Sequence, residues 1–88
     1  MGHAISQMNF PATKSKREIL SICAEIANEN GDYEDQITGI RFNDTVLKNF
    51  DEAMKWIDRN DSGWYDQLAV KYKGEKETMW LVKIEYHC

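Results

Sequence analysis

Proline occurs once in the 88 residues, at Pro11, and cysteine and histidine occur only twice each. A single proline excludes a Pro-rich recognition arm or stiff linker. Two cysteines exclude a disulfide-dense secreted scaffold. No CxxC pair is present, so the strongest sequence signature of a zinc knuckle is missing. No apolar run is long enough to span a bilayer. The opening residues also lack the basic and then apolar pattern of a secretory leader, so the chain is expected to be cytosolic, with reduced thiols. Gly-rich phosphate loops, nucleophile elbows and HExxH motifs are all absent, and catalysis is not expected. An excess of cations is lacking too: 11 Lys and Arg stand against 15 Asp and Glu, for a net charge of −4. That balance disfavours direct nucleic-acid binding.

What the chain does have is clear periodicity. Its length predicts one domain over residues 1–88, with a core thin enough for a staple or a partner to matter. Residues 3–10 read as a strand that Pro11 ends. Ser15 and Glu18 have capping-box spacing. They open a helix over 15–30 whose apolar stripe is Ile19, Ile22, Cys23 and Ile26, with Gly31 at the left-handed C-cap position. Residues 32–38 read as an acidic loop. Residues 40–42 and 45–47 are short apolar runs around Asn43-Asp44, a dipeptide suited to a tight hairpin. Asn49 and Glu52 repeat the capping spacing, and Ala53, Trp56 and Ile57 form the stripe of a second helix. Residues 68–73 and 78–86 alternate as a closing hairpin, with Trp80, Val82, Ile84 and Tyr86 inward and Lys83 and Glu85 outward. The fold class predicted is α+β: a small antiparallel sheet with two helices on one face, in the order β-α-β(β)-α-β-β.

Two features point toward binding. Residues 18–66 hold twelve acids against four bases. That surface either keeps a small domain soluble or docks on a basic partner through residues such as Glu34, Asp35, Asp58 and Asp61. Within it, Asp61-Ser62-Gly63-Trp64-Tyr65-Asp66 places two large aromatics between acids, beside a glycine. Trp and Tyr are typical interface anchors. The alternative is that Trp64 folds back over the sheet edge.

A third feature is the placement of the soft-metal ligands. His87-Cys88 closes the chain, His3 lies near its start, and Cys23 lies on the first helix. If the terminal strands pair, these residues could approach as a His₂Cys₂ zinc set, with Asp61 or Asp66 as substitute oxygen ligands. Adjacent strand residues point to opposite faces, so His87 and Cys88 could both bind only at a frayed strand end. The competing reading makes Cys23 a small core residue and leaves the terminal ligands solvated.

The run WLVKIEYHC (80–88), the segment DSGWYD (61–66), AVKY (69–72) and the opening from Gly2-His3 to Phe10-Pro11 together resemble small proteins of Gram-positive phages and prophages. Within that group the chain is similar to zinc-containing anti-CRISPR proteins of the type II-A class. The resemblance implies inhibition of the RNA-guided DNA nuclease of a type II CRISPR system by direct protein binding, in the cytoplasm of an infected host, with zinc in a structural role. Carried onto this chain, the ligands it implies are His3, His87 and Cys88, with Cys23 as an addition that no motif anchors. It transfers no contact residue. The acidic surface and the Trp64-Tyr65 turn are compatible with docking on the positively charged channels of such a nuclease. Two other readings stay open: an accessory phage protein that binds a different host or phage protein, and a small metal- or thiol-dependent enzyme built on Cys23.

Overall fold

A computed structural model describes residues 2–31 and 37–88. Six elements follow in the order β1 (His3–Pro11), α1 (Lys16–Asn30), β2 (Arg41–Leu47), α2 (Phe50–Asn60), β3 (Leu68–Lys73) and β4 (Thr78–His87). Both helices begin as the capping spacing predicts. The Ser15 hydroxyl accepts from the Glu18 amide at 3.1 Å, and the Asn49 side chain accepts from the Glu52 amide at 2.9 Å. Each cap satisfies an amide that the first helical turn leaves without a partner. The α+β class holds, and the four strands form one sheet in the order β1-β4-β3-β2.

Two details differ from the expected arrangement. The sheet is mixed: β1–β4 and β3–β4 are antiparallel, but β2 joins β3 in parallel. The helices also lie on opposite faces. Ile19, Cys23 and Ala27 of α1 pack with Ala69, Trp80, Val82, Ile84 and Tyr86. Ala53 and Ile57 of α2 pack with Leu68, Val70, Tyr72 and Leu81, the alternate residues of the same strands. Topology accounts for this. The connection from β1 to β2 crosses the sheet in one direction, and that from β2 to β3 returns in the other. Right-handed crossovers in opposite directions put their helices on opposite faces.

The predicted hairpin at Asn43-Asp44 is instead a register shift within the single strand β2. The Asn43 side chain accepts from the Thr45 amide at 3.1 Å, and this local turn bulges the strand without reversing it. Gly31 caps α1 in an extended conformation, φ −109°, not the left-handed one. Because β4 is central and covered on both sides, all of Trp80 to Tyr86 is buried, including Lys83 and Glu85, which alternation alone assigned to solvent.

On the α1 side, Lys16 of the first helical turn and Lys71 of β3 both pair with Asp44 of β2, at 2.7 and 3.3 Å. The Lys16 ammonium holds the Asp44 carboxyl below the usual carboxylate range against the opposing effect of burial, and Lys71 adds to the lowering. Both ammonium groups also lie over the Trp80 ring, at 5.9 and 5.1 Å from its centroid. The start of α1 is thereby tied across the two strands at the β2 edge. No helix among the described residues is long and apolar enough to cross a membrane.

Candidate functional site: an aromatic turn on a buried charge cluster

The α2 side of the sheet is apolar only where α2 covers it. Beyond Leu81 the same face of β4 continues with Lys83, Glu85 and His87, and the connection from α2 to β3 folds over them. Lys83 and Glu85 are 2% and 1% exposed. Charges at that depth persist only when paired and hydrogen-bonded. The Lys83 ammonium donates to Glu85 Oε1 at 2.8 Å, to Asp61 Oδ1 at 3.0 Å and to the Asp66 carbonyl at 3.0 Å. All three donor positions of the ammonium are thereby used. On its other oxygen, Glu85 lies 2.9 Å from Nε2 of His3, which reaches over from β1.

Gln67 supplies the next layer. Its side-chain oxygen accepts from the Glu85 amide at 2.7 Å, and its side-chain nitrogen donates to the Glu85 carbonyl at 2.9 Å. β3 begins only at Leu68, so this side chain replaces the backbone partner that β4 lacks there. The same nitrogen donates to the Tyr65 carbonyl. Asp66 accepts from the Ser62 amide at 3.0 Å and from Arg41 at 3.2 Å, and Arg41 donates also to the Asn60 carbonyl. Asp61 accepts from the Gly63 amide at 2.9 Å. Burial raises the Asp61 carboxyl, but the Gly63 amide and the Lys83 ammonium outweigh it and hold the group below its ordinary range.

These bonds fix a turn with two left-handed residues, Gly63 at φ +91° and Tyr65 at φ +51°. Glycine accepts that conformation freely; a tyrosine is held there by its surroundings. The turn carries Trp64, 67% exposed, and Tyr65, 41% exposed. The rings of both meet His3 edge-on, at 5.1 and 5.6 Å between centroids, and Tyr65 stacks on His87 at 6.4 Å. Trp64 thus touches the sheet edge through His3 and presents most of its surface to solvent.

The other expected site residues divide plainly. Asp58 is exposed on α2. Asp61 and Asp66 point inward and stabilise the turn, which limits what they can offer a partner. Glu34 and Asp35 lie outside the described residues. His3 and His87 oppose each other in the β1–β4 register and share the face of the aromatic turn. Cys23 does not join them. It is fully buried among α1 and the α1 side of the sheet, where burial pushes its thiol up to about 11. A protonated, enclosed thiol is neither a ready ligand nor a nucleophile. Cys88 is exposed and one residue out of phase with His87.

The four soft-metal candidates therefore do not converge, and among the described residues no three His, Cys, Asp or Glu gather to hold a metal. Melting with and without equimolar zinc tests the expected zinc set. A marked rise, lost in His87→Ala, would mean that the terminal strands rearrange to gather ligands. Lys83, Glu85 and Gln67 escaped the sequence reading of the site. The available signal was the pair of charges in the middle of an otherwise apolar final strand.

No protein-family model, curated protein or solved structure matches this chain.

Proposed function

We propose that the chain is a non-enzymatic protein-binding domain whose anchor is the Trp64-Tyr65 turn. The observation that carries the reading is an exposed tryptophan on a backbone clamped from beneath by Lys83, Asp61, Asp66 and Gln67. A large aromatic held in solvent on a rigid turn loses little conformational freedom on docking. The buried charges have a structural task in that design: they preorganise the anchor.

The partner class is the one the sequence motifs suggest, the RNA-guided DNA nuclease of a type II CRISPR system. Exposed acids on both helices, Glu25 and Glu29 on α1 and Asp51 and Asp58 on α2, support docking on a basic surface. Their attraction would mainly speed association and make it salt-dependent. The test is target-DNA cleavage by purified type II nucleases, with the chain added before the DNA. Dose-dependent loss of cleavage is the expected result. Complete cleavage at large excess across several homologous nucleases would remove the nuclease as partner. Charge reversal at Asp51 and Asp58 should slow association without unfolding the chain. Inhibition at unchanged rate in high salt would remove the acidic-surface mechanism.

A further inference from the structure

We infer that β1 is a dimerisation edge, and that a second copy of this chain pairs with it antiparallel about Gln7 to make a continuous eight-stranded sheet. β1 pairs with β4 on one side only. The phase of its ladder fixes which backbone groups face outward. The Ala12 amide donates to the Thr78 carbonyl at 2.9 Å, and the Cys88 amide donates to the Gly2 carbonyl at 3.2 Å. Antiparallel ladders alternate, so the even-numbered residues from Gly2 to Ala12 direct their backbone groups toward β4. The odd-numbered residues, His3, Ile5, Gln7, Asn9 and Pro11, direct theirs to the open edge. No other strand among the described residues takes them up.

Edge strands are commonly blunted by charge, by bulges or by internal proline. β2, at the other edge, has both a register shift after Asn43 and the charges of Arg41 and Asp44. β1 has none of these devices. Its nine residues, HAISQMNFP, include no Asp, Glu, Lys or Arg, and its register with β4 runs unbroken. Ile5 stands 57% exposed in the middle of it. Pro11 is its last residue, with the missing amide on the outer side, where it costs β4 nothing.

The choice of a second copy follows from self-complementarity and charge. Across a two-fold axis at Gln7, Ile5 faces Asn9 of the second copy, Gln7 faces Gln7, and the His3 amide meets the Pro11 carbonyl. Within β1, the outward group this arrangement leaves without a partner is the His3 carbonyl of each copy, opposite proline. On the α1 side, Ala4 comes beside Phe10 of the second copy and Ser6 beside Met8, which covers two half-buried apolar side chains. Each copy carries a net charge of −4, so copies repel over much of their surface. The neutral β1 strip is where they can approach, and the resulting contact is isologous and closed.

Sedimentation equilibrium of the full chain tests this. The expected result is a species of twice the chain mass that becomes monomeric in Gln7→Pro, which removes an outward amide, and in Ile5→Lys, which adds charge to the strip without altering the backbone. Both variants should keep the wild-type circular dichroism. If Gln7→Pro fails to fold, Ile5→Lys decides alone. A wild-type chain that stays monomeric at its highest soluble concentration overturns the inference. A dimer that survives in folded Ile5→Lys overturns it as well.

Discussion

Lys83→Met should destabilise the domain by about 3–5 kcal/mol, because it leaves the buried Glu85 carboxylate and the half-buried Asp61 without their cation. The whole stability of a chain this size is on the order of 4–13 kcal/mol. The melting temperature should fall by roughly 20 °C, if the chain folds at all. The cause is specific. Glu85 is 1% exposed and receives Lys83 at 2.8 Å, while Asp61 receives it at 3.0 Å. Methionine fills a similar volume, so packing is not the main loss. Adding Glu85→Gln and Asp61→Asn should recover a large part of the deficit, since the penalty comes from orphaned charge. The pH profile checks the same point. Asp61 is held below its ordinary range, so its contribution is present above the unfolded carboxylate pKa and is lost as pH falls through the lower folded value. Lys83→Met removes one cause of that shift, and its stability should vary less between neutral and acid pH. Thermal melts across pH measure both effects. Wild-type stability in the single variant would mean that the cluster is not what holds the turn.

How much of this was legible in the sequence depends on which interactions are local. Ser15 with Glu18, Asn49 with Glu52, and the alternation of β3 and β4 are short-range signals, and the structure follows them. The aromatic turn was also visible, as two rings beside a glycine. The faces of the sheet were not. Assigning Lys83 and Glu85 to solvent assumed that both helices cover one side. A strand, helix and strand such as β2-α2-β3 calls for a parallel crossover. Reading it as parallel would have sent α2 to the opposite face from α1 and enclosed β4 on both sides. The supposed hairpin at Asn43-Asp44 obscured this, because it made β2 look like two strands. The approach of Gln67 to Glu85 links residues 18 apart through side-chain geometry, which no periodicity encodes. The same holds for the separation of Cys23 from His3 and His87: composition gathers these residues, and the intervening sheet divides them.

Trp64→Ala should weaken partner binding sharply and leave the fold nearly intact, whereas Trp80→Ala should strongly destabilise the fold. The two tryptophans differ in environment. Trp80 is 1% exposed, meets Phe42 edge-on at 5.1 Å and lies beneath Lys16 and Lys71. Truncating it empties a large volume in a thin core and should cost about 3–5 kcal/mol. Among the described residues Trp64 gives up its ring contacts with His3 and Tyr65, on the order of 1 kcal/mol. As an interface anchor it should instead account for about 2–4 kcal/mol of binding, a loss of affinity of roughly 30- to 1,000-fold. Inhibition of nuclease cleavage, titrated with wild type and Trp64→Ala at matched folded concentration, reads the second number; thermal melts read the first. Tyr65→Gly separates anchor from scaffold within the turn, since glycine accepts the left-handed φ of +51° while removing the ring. Lower affinity in both variants with melts near wild type supports the aromatic anchor. Full inhibition by Trp64→Ala would move the contact surface elsewhere, with the exposed acids of the two helices as the remaining candidates.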